Sequence, residues 1–227
     1  MEKSNKGVKL VGFWVSPFVQ RVKWGMKLKG IEYDYIEEDI FNKSPLLSQL
    51  NPLTGKVPVL VHDGNPLPES AIILEYLDER WPHAPLLPLD PYERAQARFW
   101  ARFVEEKILE STRLAALRSE GEIQEREVKL AIEHLEKMEE KLGGKSRFFF
   151  GDDTIGYVDL MMGFVAYILP VWEEITAVRI LDAARFPNLA AWKNNFLNHP
   201  VIKDDLPSKD EMLTYFQWRR KVNLKKI

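Results

Sequence analysis

Lys9-Leu10-Val11-Gly12-Phe13-Trp14-Val15-Ser16-Pro17-Phe18-Val19-Gln20-Arg21 is the stretch on which the fold turns. The run Lys9–Trp14 is apolar and short enough for a buried strand. Ser16 is a favourable helix N-cap and Pro17 a favourable first helical residue. Val19, Val22 and Met26 follow at helical spacing, and Gly30 stops the helix. Outward from this pair, Tyr33–Ile36 alternates as a second strand. Ser44–Leu50 makes a short helix closed by Asn51-Pro52, and Val57–Val61 reads as a third strand. Asp63-Gly64-Asn65 is a turn into a fourth strand at Leu67. Ser70–Trp81 is a helix with Ile72, Ile73, Tyr76 and Leu77 on its apolar face. The order β-α-β-α-β-β-α implies a parallel crossover first and a hairpin last. Pro58 inside the third strand would remove a ladder hydrogen bond. Either that strand is an edge or the Val57–Pro58 bond is special, and a cis bond is the specific expectation.

The prolines at 82, 85, 88 and 91 mark a linker, after which the pattern is almost entirely helical. Tyr92–Arg118 and Glu122–Leu142 are long and periodic. Gly156–Trp172 is apolar on nearly all sides and reads as one central buried helix. Asp159 stands three residues after Gly156, where a carboxylate reaches back to the cap N–H and complements the dipole. Asn188–Asn198 and Lys209–Lys221 are the last helices. The expected division is a first domain over 1–82, a linker over 83–91 and an all-helical domain over 92–227.

The chain has 227 residues, enough for one large or two small domains, and a formal net charge of −2. That balance gives no bulk field toward nucleic acid or anionic membrane. The basic stretch Arg219-Arg220-Lys221 with Lys225-Lys226 is read as solvated. There is no cysteine, which excludes disulfides, zinc fingers, iron–sulfur sites and a cysteine nucleophile. His62, His83, His134 and His199 are scattered and read as surface or structural residues, so no metal is expected. No segment reaches the length of a membrane helix, and Met1–Lys9 lacks the apolar core of a signal peptide. The cytosol is therefore the expected compartment.

Six stretches, the opening one among them, sharpen the reading. Phe13-Trp14-Val15-Ser16-Pro17-Phe18-Val19-Gln20-Arg21 resembles the signature around the catalytic serine of plant tau-class glutathione transferases. Asn42-Lys43-Ser44-Pro45-Leu46-Leu47, Asn51-Pro52 through Lys56-Val57-Pro58-Val59-Leu60, and Pro68-Glu69-Ser70 match that family in order. Arg98-Phe99-Trp100-Ala101 and Gly156-Tyr157-Val158-Asp159 match its helical domain. The chain departs from the family at Gly55, where a lysine is common, and at Arg102, where an acidic residue is common.

The resemblance implies an α/β thioredoxin-like domain followed by an all-α domain, with glutathione as co-substrate. It implies conjugation of glutathione to hydrophobic electrophiles, with reduction of organic hydroperoxides as an accompanying activity. A free thiol with a pKa near 8.5 is only a few per cent thiolate at pH 7, and the thiolate is the nucleophile. Ser16 is read as the catalytic residue: its hydroxyl is too weak a base to take the proton, but it can donate to the sulfur anion. Arg21 is read as adding positive potential one turn on. Glu69 and Ser70 are assigned to the γ-glutamyl end, and Lys43 and Lys56 to the glycyl carboxylate. Val57, before Pro58, is assigned to the cysteinyl backbone. Phe18, Leu109, Arg113, Ile168 and Tyr215 are assigned to an apolar cleft between the domains for the second substrate. The family also implies a homodimer. The alternative on the same fold is a carrier of hydrophobic small molecules that turns over poorly. A thiol–disulfide reductase would need a cysteine that the chain lacks.

Overall fold

The computed structural model describes residues 7–144, 147–151 and 153–225. Met1–Lys6 of the polar N-terminal stretch and Lys226 of the basic tail lie outside the described residues. The chain divides into two compact units, Met1–Leu87 and Pro88–Ile227.

The first unit holds a four-stranded sheet. β1 (Val8–Gly12), β2 (Asp34–Glu37), β3 (Val59–His62) and β4 (Asn65–Pro68) lie in the order β2-β1-β3-β4. β1 and β2 are parallel, joined by α1 (Pro17–Leu28); β3 is antiparallel to β1 and to β4. Val11 and Val59 pair in register and pack with Leu47 of α2 (Pro45–Leu50), all three without exposed surface. Leu10 and Leu60, equally buried, occupy the opposite face by strand alternation. α1 packs against α3 (Ser70–Arg80).

The Val57–Pro58 bond is cis. The third strand begins later than the apolar pattern suggests, at Val59. Pro58 therefore stands just ahead of the ladder and removes no hydrogen bond from it. Gly12 is a residue whose smallness the packing requires: a Cβ there would lie 2.5 Å from Val19 and 2.9 Å from Tyr35. Lys29, at the end of α1, is fully buried. Its ammonium donates to the carbonyls of Trp81 (2.8 Å), His83 (3.1 Å) and Ala84 (3.1 Å) and pairs with Asp78 at 2.8 Å. Asp78 in turn accepts from the N–H groups of Leu86 and Leu87, so one buried ion pair fixes the chain that leaves α3.

In the second unit the expected single helix over Tyr92–Arg118 is continuous but irregular. α4 (Pro91–Phe103) runs into a π-helical segment, Val104–Leu109, then α5 (Glu110–Arg113), then a second π-helical segment, Leu114–Arg118. α6 (Gly121–Leu142) closes on Gly143, which takes the left-handed φ of 61°. The expected central helix over Gly156–Trp172 is two helices, α7 (Tyr157–Tyr167) and α8 (Leu169–Thr176). Pro170 sits in the first turn of α8, where it lacks the N–H that would continue α7. α7 is buried along its whole length. α9 (Pro187–Asn198), α10 (Pro200–Lys203) and α11 (Lys209–Leu224) complete the unit; the short α10 leaves no clear sequence pattern.

Asp159 anchors α7. Its carboxylate accepts from the N–H of Gly156 (2.9 Å), the N–H of Phe149 (3.1 Å) and the indole N–H of Trp192 (2.7 Å). The first of these is the expected reach back to the cap. Burial pushes the Asp159 carboxyl up to about 7, against the three donors that pull it down.

Candidate active site

Sheet register gathers most of the first unit's candidate residues at one end. The C-terminal end of β1 pairs with the C-terminal end of β2 (Gly12 with Glu37) and the N-terminal end of β3 (Val11 with Val59). Val59 also pairs with Pro68, the last residue of β4. Continuing each strand by a few residues brings Ser16, the loop that carries Lys43, the cis Val57–Pro58 bond and Glu69-Ser70 to the same edge. Open α/β sheets place their ligands at such strand ends.

Ser16 is the N-cap of α1, and its Oγ accepts from the N–H of Val19 at 3.4 Å. That bond is long, and it uses only a lone pair, so the hydroxyl hydrogen is left to donate. Glu69 precedes α3 with φ 71° and ψ 105°, a sparsely populated conformation for a side chain with a Cβ, costing on the order of 1–3 kcal/mol. It makes no capping hydrogen bond and is exposed. Ser70, the first residue of α3, is buried. The first turns of α1 and α3 supply N–H groups without intrahelical acceptors and the positive ends of two helix dipoles.

Arg21, read as positive potential one turn on from Ser16, has a specific partner in Ser70. It is buried, and its guanidinium donates from Nε at 3.0 Å and Nη2 at 2.5 Å to the hydroxyl of Ser70. The same guanidinium lies 5.0 Å from the centre of the Phe18 ring, and Phe18 is half-buried. Both Arg21 contacts use lone pairs of Ser70 Oγ, so the hydroxyl hydrogen is directed away from the arginine. The N-termini of α1 and α3 are thereby tied through one buried cation.

Two carboxylate-and-amide clamps, neither read from the sequence, hold the basic loops. Glu38 is buried and accepts from the N–H (2.8 Å) and hydroxyl (2.6 Å) of Ser44, which fixes the loop of Lys43. Asn51 donates to Thr54 Oγ1 (2.8 Å) and to the carbonyl of Lys56 (3.0 Å), which fixes the loop of Gly55 and Lys56. Lys43 and Lys56 are exposed and Val57 is half-buried. Gly55 has φ 57°, and a Cβ on it would meet the Lys43 ammonium at 3.3 Å. The departure at Gly55 thus leaves Lys43 beside the turn where a second lysine is common. A signal for Glu38 existed in its six-residue separation from Ser44; the reach across a loop is not a periodic pattern.

The helical unit places its candidates separately. Leu109 ends the first π-helical segment and is 7% exposed. Arg113 donates to Glu110 at 2.5 Å, and its buried Nε has no acceptor among the described residues. Tyr215 on α11 is half-buried against the rings of Phe216 and Trp218, and desolvation raises its phenol pKa. Arg220 of the same helix donates to the carbonyls of Ala116 (2.6 Å) and Ser119 (3.2 Å), tying α11 to the second π-helical segment. Ile168 sits at the junction of α7 and α8 with no exposed surface, a core position rather than a lining one. No group of three or more metal-ligating side chains occurs among the described residues, and no described helix is long and apolar enough to cross a membrane.

Comparison with known proteins identifies the family. Residues 15–80 match the glutathione S-transferase N-terminal domain and residues 96–200 the glutathione S-transferase C-terminal domain. Glutathione transferase GST 23 of Zea mays is 47% identical over 96% of this chain and 97% of its own length. Glutathione S-transferase U8 of Arabidopsis thaliana is 46% identical over 91% and 92%. Among solved structures, the Tau class glutathione S-transferase of mango superposes with a TM-score of 0.87 at 36% identity, covering 95% of this chain and all of the other. Rice GST1, solved in complex with glutathione, gives a TM-score of 0.86 at 36% identity over 97% and 99%. With both halves of the chain matched and near-full-length relatives well above 30% identity, the chain belongs to the glutathione S-transferase family, in its Tau class.

Proposed function

We propose that this enzyme conjugates reduced glutathione to hydrophobic electrophiles and that glutathione sits at the strand ends of the first unit. Ser16 donates its hydroxyl hydrogen to the sulfur and holds it as the thiolate. The N-terminus of α1 adds its dipole. Ser70 and the first N–H of α3 receive the γ-glutamyl carboxylate, as a helix N-terminus suits an anion. Glu69 accepts from the γ-glutamyl amine, and Val57 offers backbone groups to the cysteinyl unit. Lys43 and Lys56 meet the glycyl carboxylate. In the first unit Phe18 provides apolar contact for the electrophile. Within the helical unit Leu109, Arg113 and Tyr215 are its candidate contacts. The rice relative crystallised with glutathione supports the choice of co-substrate. A homodimer in the cytosol completes the reading.

The observation that carries the site assignment is the backbone of Glu69. A residue with a Cβ held at φ 71° immediately ahead of a helix N-terminus costs folding energy and makes no capping bond in return. The test is calorimetric binding of glutathione to Glu69→Ala. Loss of a charged hydrogen bond of about 1.5–3 kcal/mol raises the dissociation constant at least about tenfold. An unaltered dissociation constant removes Glu69 from the site.

A further inference from the structure

We propose that the open pocket between α9 and the loop that precedes it binds small carboxylates bearing an apolar ring. The pocket has a volume of about 260 Å³ and is lined by Leu181, Ala183, Ala190, Lys193, Asn194 and Leu197. It lies wholly within the helical unit and shares no residue with the glutathione or electrophile assignments above.

Ala190, Lys193, Asn194 and Leu197 recur at three- and four-residue spacing, so a single face of α9 forms one wall. The loop forms the other, and it is pinned. Glu173 accepts from the N–H groups of Ile180 (2.6 Å) and Leu181 (2.8 Å), and Asp182 accepts from the N–H of Ala184 (2.8 Å). Arg185 pairs with Glu136 of α6. A cavity between a helix and a loop held this way is preformed, which lowers the cost of binding.

Two side chains of the lining, Lys193 and Asn194, carry donors. Lys193 is half-buried and makes no hydrogen bond or ion pair among the described residues. Glu173 is the acid whose field reaches it, and that carboxylate is engaged by the loop amides. Asn194 has its side-chain oxygen and its carbonyl occupied by the amide of Asn198, at 3.1 Å and 2.8 Å, which leaves its own NH₂ to donate. An ammonium and an amide NH₂ in one pocket lining, with Leu181, Ala183, Ala190 and Leu197 as its apolar part, are the complement of a carboxylate on an apolar body. Desolvation lowers the Lys193 pKa by more than the field of Glu173 raises it, and a bound carboxylate adds a second counter-charge. The volume equals about nine waters at roughly 30 Å³ each, room for one ring with its carboxylate.

The test is an amide NMR titration of the full chain, saturated with glutathione, using benzoate as the probe. Saturable shifts are expected at Ala190, Asn194, Leu197 and the 180–184 loop. Benzamide, which has the same shape without the charge, and benzoate with Lys193→Met should both bind at least about tenfold more weakly, the effect of losing a charged hydrogen bond. Lys193→Arg should retain binding. If Lys193→Met does not fold, Lys193→Gln replaces it. Equal affinity for benzoate and benzamide, unchanged binding in the Lys193 variant, or shifts that leave α9 untouched would each overturn the proposal. Because the readout is local to α9, it is independent of whether the roles assigned to Ser16 and Glu69 hold.

Discussion

Replacing Ser16 with alanine removes one hydroxyl that serves two purposes, and their sizes can be separated. As a cap, Ser16 Oγ accepts from Val19 at 3.4 Å, beyond the usual N–H···O range, so its loss costs helix stability near the lower end of about 0.5–2 kcal/mol. As a donor to a thiolate it is worth about 1.5–3 kcal/mol. At 1.36 kcal/mol per pH unit, that loss raises the thiol midpoint of bound glutathione by about one to two units. The thiolate fraction near neutral pH then falls by about three- to thirtyfold, bounded by the few per cent that a free thiol near pKa 8.5 retains, and turnover falls with it where chemistry is limiting. The dipole of α1 survives the substitution and contributes about 0.3–2 kcal/mol, so the midpoint should remain below that of free glutathione. Ser16→Gly separates the two purposes: it costs only a few tenths of a kcal/mol as a cap yet removes the same donor. The assay is an ultraviolet titration of thiolate absorbance in the protein–glutathione complex against pH, run on wild type, Ser16→Ala and Ser16→Gly. Equal upward shifts in both variants with similar melting curves are expected. A wild-type midpoint at the value of free glutathione, or one that neither variant moves, would refute the assignment of Ser16 and favour a carrier on this fold.

Arg21→Lys should raise the Michaelis constant for glutathione about tenfold, because it breaks the two-pronged contact that orients Ser70. Steady-state kinetics against the thiolate titration distinguish the routes: a moved midpoint with an unmoved Michaelis constant would place Arg21 at the sulfur instead. Lys29→Met should destabilise the protein by about 3–5 kcal/mol, since it strands Asp78 and three carbonyls inside the fold. Denaturant unfolding reads this directly, and a loss under about 1 kcal/mol would show that the pair is not a net stabiliser. Asp159→Asn tests a pH dependence. The folded carboxyl, pushed up to about 7, holds its proton more tightly than the unfolded one near 3.9. Its contribution is thus fully present below about pH 4 and is lost as pH rises through about 7. The destabilisation by Asn should be largest at pH 4–5 and shrink toward pH 8; a cost that grows over that range would mean the three N–H donors outweigh desolvation.

What was legible in the sequence was whatever local chemistry dictates. Ser16-Pro17 and Ser44-Pro45 name helix starts because a hydroxyl and a fixed φ suit a first turn, and both helices begin there. The cis bond was expected from a proline inside an apolar strand, and the bond is cis although Pro58 stands ahead of the strand rather than within it. Misplacements came where periodicity continues through a change of geometry. Gly156–Trp172 is apolar on every side, so only Pro170 marks the break between α7 and α8. The two π-helical segments in the helix that starts at Pro91 leave the apolar spacing almost intact. The larger blind spot is contact fixed by register. Arg21 and Ser70 stand 49 residues apart, and nothing in either motif says that one answers the other. They meet because β1 and β4 both flank β3 and each ends at the start of a helix, so the residue one turn into α1 is carried to the first residue of α3. A signature stretch read alone gives Ser16 a chemical capacity. The sheet gives it neighbours, and the neighbours turn a serine that caps a helix into part of a site.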